Sequence, residues 1–173
     1  MNRRTAMGSM AVIAGAAATV RVARAAETEI EIFVRHWKKS KALTIKVAEA
    51  MPEENYGYKP FPEARTFAGE LIHLGQAEGH YLGVFGKGRA PAAPAADSGK
   101  AATIKYLGDL FDWSIGIVGQ LNTADLTTTF GTGKSAMTGL DLLYNAMIHT
   151  AHTRGYAEMF LRNKGIVPPT YSV

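Results

Sequence analysis

Residues 138–165, TGLDLLYNAMIHTAHTRGYAEMFLRNKG, decide the fold, because they contain one long helical pattern together with the signals for both of its ends. Thr138 followed by Asp141 three residues later resembles a capping box, in which each residue's side chain accepts a hydrogen bond from the backbone of the other. Arg162 places positive charge at the negative end of the helix dipole. Gly165 is a typical C-terminal cap. We therefore predict a helix over almost the whole stretch.

Three other segments also have helical periodicity, and none has a convincing strand pattern. They cover about residues 29–51, 67–85 and 101–121, and Thr66 stands at the N-cap position of the second. In the first, the predicted buried face recurs at three-, four- and seven-residue steps through Phe33, Trp37, Thr44, Ala48 and Met51. Four such helices without strands predict an all-α four-helix bundle.

Residues 1–25 are typical of an export signal. A pair of arginines near the start is followed by a small apolar stretch at 6–20, which is too short and too broken by glycine to span a membrane. The Ala-Arg-Ala sequence at 23–25 fits a cleavage site, and the paired arginines suggest the twin-arginine route. We predict a signal peptide, a mature domain over 26–173, a periplasmic or extracellular location and no stable membrane insertion afterwards. The alternative is an uncleaved N-terminal tail.

The basic excess of the chain is confined to its N-terminal segment. The net charge is +4, from 19 basic and 15 acidic residues, but residues 1–25 hold four arginines and no acid. The remaining 15 basic residues therefore balance the 15 acidic ones. A nucleic-acid-binding protein needs its positive charge on the folded domain, so we expect no nucleic-acid partner.

Two further classes of site are excluded by composition and spacing. The chain has no cysteine, so it has neither disulfides nor thiolate metal sites nor a cysteine nucleophile. The GTGKS sequence at 131–135 looks like the end of a phosphate-binding loop, but Thr128 stands where that motif requires its first glycine. We therefore predict an ordinary connection between helices there.

The five histidines are the main candidates for chemistry. His149 and His152 are three residues apart and share a helix face, and His73 and His80 share a face of the second helix. Metal sites in bundles are built from such side chains on facing helices. Two ligands from the last helix and one from the second would leave a coordination position open for water. Alternatively, His149 and His152 only hydrogen-bond across the bundle, and His80 faces solvent near the end of the second helix. His36 lies off the predicted core stripe.

Two long stretches resemble the DinB-like four-helix-bundle proteins. The first is MPEENYGYKPFPEARTFAGELIHLGQAEGHYL at 51–82, and the second is HTAHTRGYAEMFLRNKGIVPP at 149–169. The first stretch matches the family's proline-rich connection and the start of its second helix. The second matches its last helix and the Gly-Ile-Val-Pro-Pro sequence that follows this helix. The resemblance extends over nearly all of the chain after the N-terminal segment. It implies a four-helix bundle and does not imply DNA chemistry.

The resemblance also implies a divalent metal ion held by three histidines. His73 stands at the position of the ligand on the second helix, and His149 at the first of two on the last helix. The other should fall at position 153, which is Thr153 here. His152 is a neighbour that often accompanies this ligand in the family. The predicted metal ligands are therefore His73, His149 and His152, with zinc, nickel or iron as the ion.

Two functions follow as hypotheses. In the first, the protein is a divalent-metal-dependent enzyme acting on a small-molecule substrate, with hydrolase or thiol-transferase-like chemistry, as in members of the family. Gln76, Glu78 and His80 are then candidates for proton transfer or for positioning the ligands. In the second, it is a metal-free bundle, a binding or structural module that has lost the third ligand. The catalytic residues are not identified, and a homodimer is left open.

Overall fold

A computed structural model describes residues 27–171. The predicted signal peptide and its cleavage site lie outside these residues. The described chain contains five helices and two very short strands. In chain order they are α1 (Glu29–Ala50), α2 (Phe67–Gly83), α3 (Lys100–Val118), α4 (Thr123–Thr127), β1 (Thr129–Phe130), β2 (Met137–Thr138) and α5 (Gly139–Asn163), with 3-10 turns at Glu53–Asn55 and Gly133–Ser135.

The four long helices form the predicted all-α bundle. Helix α1 packs against α3 and α5, and α2 packs against the same two helices, so α1 and α2 occupy opposite corners. The centre is aromatic: Trp37 contacts Phe33 and Phe111 with ring centroids 5.2 Å apart in each pair. All five residues of the stripe predicted for the first helix are buried. Within residues 27–171 no helix is long and apolar enough to cross a membrane.

Local capping signals explain the helix ends. Thr138 and Asp141 form the predicted capping box, with Thr138 N–H donating to the Asp141 carboxylate at 2.9 Å and Asp141 N–H donating to Thr138 Oγ1 at 3.1 Å. Thr66 Oγ1 accepts from the N–H of Gly69 at 2.9 Å, as the N-cap prediction requires. Thr28 forms a further capping box at the start of α1. Helix bounds therefore agree with the sequence to within a few residues.

The connection between α3 and α5 has more structure than the sequence indicates. Asn122 caps the short helix α4, and β1 pairs antiparallel with β2 in the register Thr129 to Thr138 and Phe130 to Met137. Strands of two residues have no detectable alternation of polar and apolar side chains. The GTGKS sequence lies in the turn between these strands. It is a connection between helices, as predicted.

The proline-rich connection after α1 crosses the bundle and brings its polar residues to the start of α2. The Tyr56 hydroxyl donates to the carbonyl of Ala48 at 2.7 Å, which ties the connection back to α1. The backbone N–H of Phe67 and of Ala68 donate to the carbonyls of Tyr58 and Tyr56. This anchoring fixes the segment that enters α2, where the candidate site begins.

A histidine pair between α2 and α5

The structure brings His73 and His149 together across the interface of α2 and α5. Their ring centroids lie 5.1 Å apart with the planes at 70°. Both side chains are half-buried. The Tyr81 ring, also on α2, lies 6.2 Å from that of His149. Two of the three predicted ligands therefore meet from different helices, as a bundle site requires.

The surroundings favour the neutral form of both imidazoles. Burial lowers the pKa of His73, and the nearby Arg65 lowers it further, whereas Glu70 acts in the opposite direction. Burial also lowers the pKa of His149, and positive charge on His73 or His152 would lower it more. A neutral imidazole has a free nitrogen lone pair, which is the form that binds a metal ion or accepts a hydrogen bond.

Thr153 stands one helical turn beyond His149 on the same face of α5. Its side chain is 1% exposed, and its Oγ1 lies 3.5 Å from Nδ1 of His149. A contact of this length is a weak hydrogen bond at best. The position that the family resemblance assigns to a third imidazole is therefore filled by a buried neutral hydroxyl, which is a poor ligand for zinc, nickel or iron.

His152 is placed differently from the other two histidines. It lies on the exposed side of α5, and its ring packs edge-on against Tyr156, with the centroids 4.7 Å apart. It remains near enough to His149 for its charge to affect the pKa of that residue. Its predicted role as a ligand requires the ring to turn away from Tyr156, and that role stays a prediction.

An ion pair beside the histidines was missed by the sequence reasoning. Arg65 Nη1 lies 3.3 Å from an oxygen of Glu70, whose side chain is almost buried while that of Arg65 is half-exposed. Both groups act electrostatically on His73 and His149. The sequence carries a signal for one of them, because Glu70 precedes His73 by three residues and thus shares its helix face.

The same ion pair lines an open cavity of roughly 610 Å³. Its other walls are aromatic or come from the connection before α2, including Phe61, Tyr156 and Phe160. Such a mixture of apolar surface with a few charged groups is typical of small-molecule sites. Neither histidine of the pair lines this cavity, and the Arg65–Glu70 ion pair is the feature that the cavity and the surroundings of the histidines have in common.

The remaining sequence candidates do not join the pair. Gln76 and His80 are exposed, and the ring of His80 contacts Tyr81. Glu78 is 1% exposed and lies in the bundle core, where burial raises its pKa to about 8. His36, on α1, lines a separate cavity between α1 and α5.

The donor set fits two coordination positions of a metal ion and leaves a third open. His73 and His149 are half-buried and adjacent, and burial favours the neutral form that a metal ligand needs. Within residues 27–171, however, no three His, Cys, Asp or Glu side chains are close enough together to hold an ion as they stand. A complete protein site needs His152 to move, or water in its place.

Comparison with solved structures identifies the same fold in two bacterial proteins. A DinB-like protein from Bacillus cereus is 19% identical, with a TM-score of 0.72 over 83% of this chain and 97% of that one. A DinB-like protein from Bacillus subtilis is also 19% identical, with a TM-score of 0.65 over 82% of this chain and 98% of that one. Identities this low show the fold alone. No curated protein sequence matches the chain.

A protein-family model also matches this chain. The model of the DinB superfamily matches residues 36–157, from α1 to the second half of α5. This range includes the histidine pair, Thr153 and the proline-rich connection, and it amounts to well over half of the chain. The protein belongs to the DinB superfamily.

Proposed function

We propose that this protein is a divalent-metal-dependent enzyme acting on a small molecule, by hydrolysis or by thiol-transferase-like chemistry. His73 and His149 hold the ion, and His152 completes the set when its ring turns from Tyr156. Zinc, nickel and iron all suit imidazole ligands. When bound, the ion would supply a Lewis acid that activates water or a thiol.

The geometry of the His73–His149 pair carries this proposal. Two imidazoles bound to one tetrahedral zinc ion, with zinc–nitrogen bonds of about 2.0–2.1 Å, have ring centroids roughly 5 Å apart. The centroids of His73 and His149 are 5.1 Å apart. Burial also favours the neutral form of each imidazole, which is the form that coordinates a metal ion.

The residues around the pair suit a substrate with both polar and apolar parts. The half-exposed guanidinium of Arg65 can hold an anionic group, and the carboxylate of Glu70 can accept a hydrogen bond or a proton beside the histidines. The aromatic wall formed by Phe61, Tyr156 and Phe160 covers the apolar part of such a molecule. These side chains would bind and orient the substrate close to the reacting centre.

Metal titration of the chelator-treated full chain tests the proposal. Zinc, nickel and iron(II) are titrated by calorimetry into wild type, His73→Ala and His149→Ala. We expect one ion per chain in wild type and loss of binding in both variants. His80→Ala is the matched control, because His80 is an exposed histidine on the same helix as His73, and it should leave binding unchanged. Equal binding by all four proteins would contradict the site.

The buried Thr153 favours a second candidate, a metal-free small-molecule-binding module. In that case His149 hydrogen-bonds locally, and the cavity binds its ligand without an ion. The same titration distinguishes the two functions: wild type that binds none of the three metals, with the helical fold intact by circular dichroism, would favour the metal-free module.

A further inference from the structure

We propose that a second site, on the α1 side of α5, binds a small oxyanion such as a phosphate or sulfate group. Its centre is Arg154, which follows Thr153 in the chain but faces a different helix. Five residues along an α-helix correspond to a rotation of roughly 140°, so Arg154 lies well around α5 from His149. The second site is therefore separate from the histidine pair.

Arg154 is a buried cation with mainly neutral partners. The residue is 5% exposed. Its Nη1 donates to Ser40 Oγ at 2.9 Å and approaches Thr44 Oγ1 at 3.4 Å, and both acceptors are uncharged hydroxyls on α1. Burial lowers the pKa of its guanidinium, which reflects the unfavourable removal of the cation from water.

The only ion pair recorded for this cation within residues 27–171 is long and shared. Arg154 Nε lies 3.9 Å from one oxygen of Glu158, and Arg162 Nη1 lies 4.0 Å from the other. One carboxylate therefore serves two guanidinium groups, at distances beyond a good hydrogen bond. No hydrogen bond from Nη2 of Arg154 is found in the described part of the chain. A buried charge with such incomplete compensation is stabilised by a further counter-charge.

A small positive cavity opens directly at this guanidinium. It has a volume of about 80 Å³ and is lined by Arg154, Lys39, Ser40, His36 and Tyr171, together with three apolar side chains. Among residues 27–171, no acidic side chain lines it. Because a cavity needs about 10–15 Å³ of this measure to hold one water molecule, the cavity accepts an ion of a few heavy atoms.

The groups around the cavity can satisfy an oxyanion. Arg154 supplies the buried guanidinium, and Lys39 is exposed beside it and adds a second positive charge. Charge-assisted hydrogen bonds from arginine and lysine are the usual means of holding phosphate. Tyr171 lies near enough to influence the pKa of Arg154, and its hydroxyl can also donate. Two positive charges and uncharged donors around so small a cavity favour an oxyanion over a neutral ligand.

Calorimetric titration with inorganic phosphate tests the site, using the full chain with chelator present so that no metal ion can hold the anion. Sulfate, acetate and glycerol phosphate are titrated in parallel at constant ionic strength. We expect saturable binding of phosphate and sulfate to wild type. Binding of glycerol phosphate as well would indicate that the group can belong to a larger molecule, whereas its exclusion would indicate a free ion.

Lys39→Gln should weaken phosphate binding about fivefold, the effect of losing one partly screened charge contact of ~1 kcal/mol. Lys38→Gln is the matched control: it makes the same change at an exposed neighbour on α1 that does not line the cavity. It should leave the affinity unchanged, as should His149→Ala. Arg154→Lys, checked for folding by circular dichroism, should abolish binding. Absence of saturable binding to folded wild type, or equal losses in Lys39→Gln and Lys38→Gln, would overturn the proposal.

Discussion

The hydroxyl of Thr153 lies 3.5 Å from Nδ1 of His149, one turn further along the same helix. When Nδ1 carries the imidazole proton, it points toward this hydroxyl and leaves the lone pair on Nε2. Outer hydrogen bonds of this kind commonly fix the tautomer of metal-binding histidines. Thr153 thus stands where the family resemblance places the third metal ligand, and its hydroxyl is positioned to orient the imidazole of His149. The metal predictions below follow from the pair formed by His73 and His149.

Acid should destabilise the protein partly through this pair. The pKa of His73 and that of His149 are lowered in the folded state from the usual 6.5. Well above pH 6.5 both rings are neutral whether the chain is folded or unfolded. As the pH falls below 6.5 the unfolded chain takes up protons first, so the free energy of unfolding decreases until the folded-state pKa is passed.

Urea unfolding at pH 7.5, 6.0 and 5.0 with chelator present measures this decrease. His149→Gln should have a shallower decrease than wild type, because one of the two shifted groups is gone. His80→Gln should retain the slope of wild type. An unchanged slope in His149→Gln would show that the pair does not contribute to the acid sensitivity.

Glu78→Gln should stabilise the protein in alkaline solution. Both carboxyl oxygens of Glu78 are buried without a hydrogen-bond partner in the described chain. The nearby groups are occupied, since Trp37 Nε1 donates to Ser114 Oγ, which donates to the carbonyl of Phe111. Burial therefore dominates and raises the pKa of Glu78 from 4.5 to about 8, while Ser114 and Trp37 lower it only in part.

The sign of the resulting pH dependence is opposite to that of a salt-bridged carboxylate. Below pH 4.5 Glu78 is neutral in both states; between 4.5 and about 8 only the unfolded chain is ionised, so stability falls as the pH rises. Above 8 the full cost of the buried charge applies. Each pKa unit corresponds to ~1.4 kcal/mol, so Glu78→Gln should add on the order of 2–4 kcal/mol at pH 9 and little at pH 5.

Chemical unfolding of wild type and Glu78→Gln at pH 5 and pH 9 provides the measurement. Burial raises the pKa of the neighbouring Tyr106, and the charge of Glu78 raises it further. Glu54→Gln, at an exposed position in the connection after α1, is the matched control. A gain that is equal at the two pH values would argue against a buried ionisable group as its cause.

Gly75 should allow α2 to pack closely on α3, because glycine has no side chain to fill the space between the two helices. A methyl group there would stand 2.6 Å from Cε1 of Tyr106 and 2.9 Å from Cδ2 of Leu110. Gly75→Ala should therefore lower the free energy of unfolding by about 1–3 kcal/mol, as overpacking does. Gly116→Ala, in α3 with open space around it, should instead raise it by up to ~1 kcal/mol. Equal effects of the two changes in urea unfolding would contradict this assignment.

These features show where sequence reasoning succeeds and where it stops. The ends of α2 and α5 are predictable because a threonine cap and its partner are three residues apart and interact locally. Glu78 is a sequence candidate for a role beside the histidines, but it lies five residues after His73 and so on nearly the opposite face of α2. That angle could have been read from the sequence, whereas the identity of its neighbours depends on how α1 and α3 pack.

In the candidate site, too, some features can be predicted from the sequence and others cannot. The meeting of His73 and His149 follows from the family resemblance, since both positions match its motifs. The ring direction of His152 does not, because a side-chain torsion on a helix surface is decided by neighbours such as Tyr156. The ion pair of Arg65 with Glu70 also depends on the path of the proline-rich connection, which no periodic pattern specifies.

His152→Ala tests whether the third histidine takes part in metal binding. If His152 turns inward as proposed, His152→Ala should lower zinc affinity at least about tenfold. Loss of a residue that only hydrogen-bonds to a ligand already has an effect of this size, and loss of a ligand should have no smaller one. Tyr156→Leu removes the ring that holds His152 at the surface, so it should leave zinc affinity unchanged or raise it. Unchanged affinity in His152→Ala would show that water, and not this histidine, fills the third position.

Thr153→His restores an imidazole at the position that the family resemblance assigns to the third ligand. Residues four apart on a helix are turned by only about 40° from each other, so the new ring lies beside that of His149 and can reach the same ion. Because Thr153 is 1% exposed, the larger side chain should lower stability by about 1–3 kcal/mol. Zinc affinity should nevertheless rise by on the order of tenfold or more, since the ion gains a fixed third nitrogen.

Thr153→Val is the matched control for this change, because it keeps the size of the side chain and removes only the hydroxyl. If Thr153 merely orients His149, Thr153→Val should weaken zinc binding slightly and leave one ion per chain. Calorimetric titration of wild type, Thr153→His and Thr153→Val with zinc shows whether the native site binds a metal ion or has lost that ability. Tighter binding by Thr153→His than by a wild type that already binds zinc supports a working two- or three-histidine centre. Tight binding by Thr153→His alone, with none in wild type, would mean that the ancestral metal site has been lost here, and the metal-dependent enzyme would then be the wrong proposal.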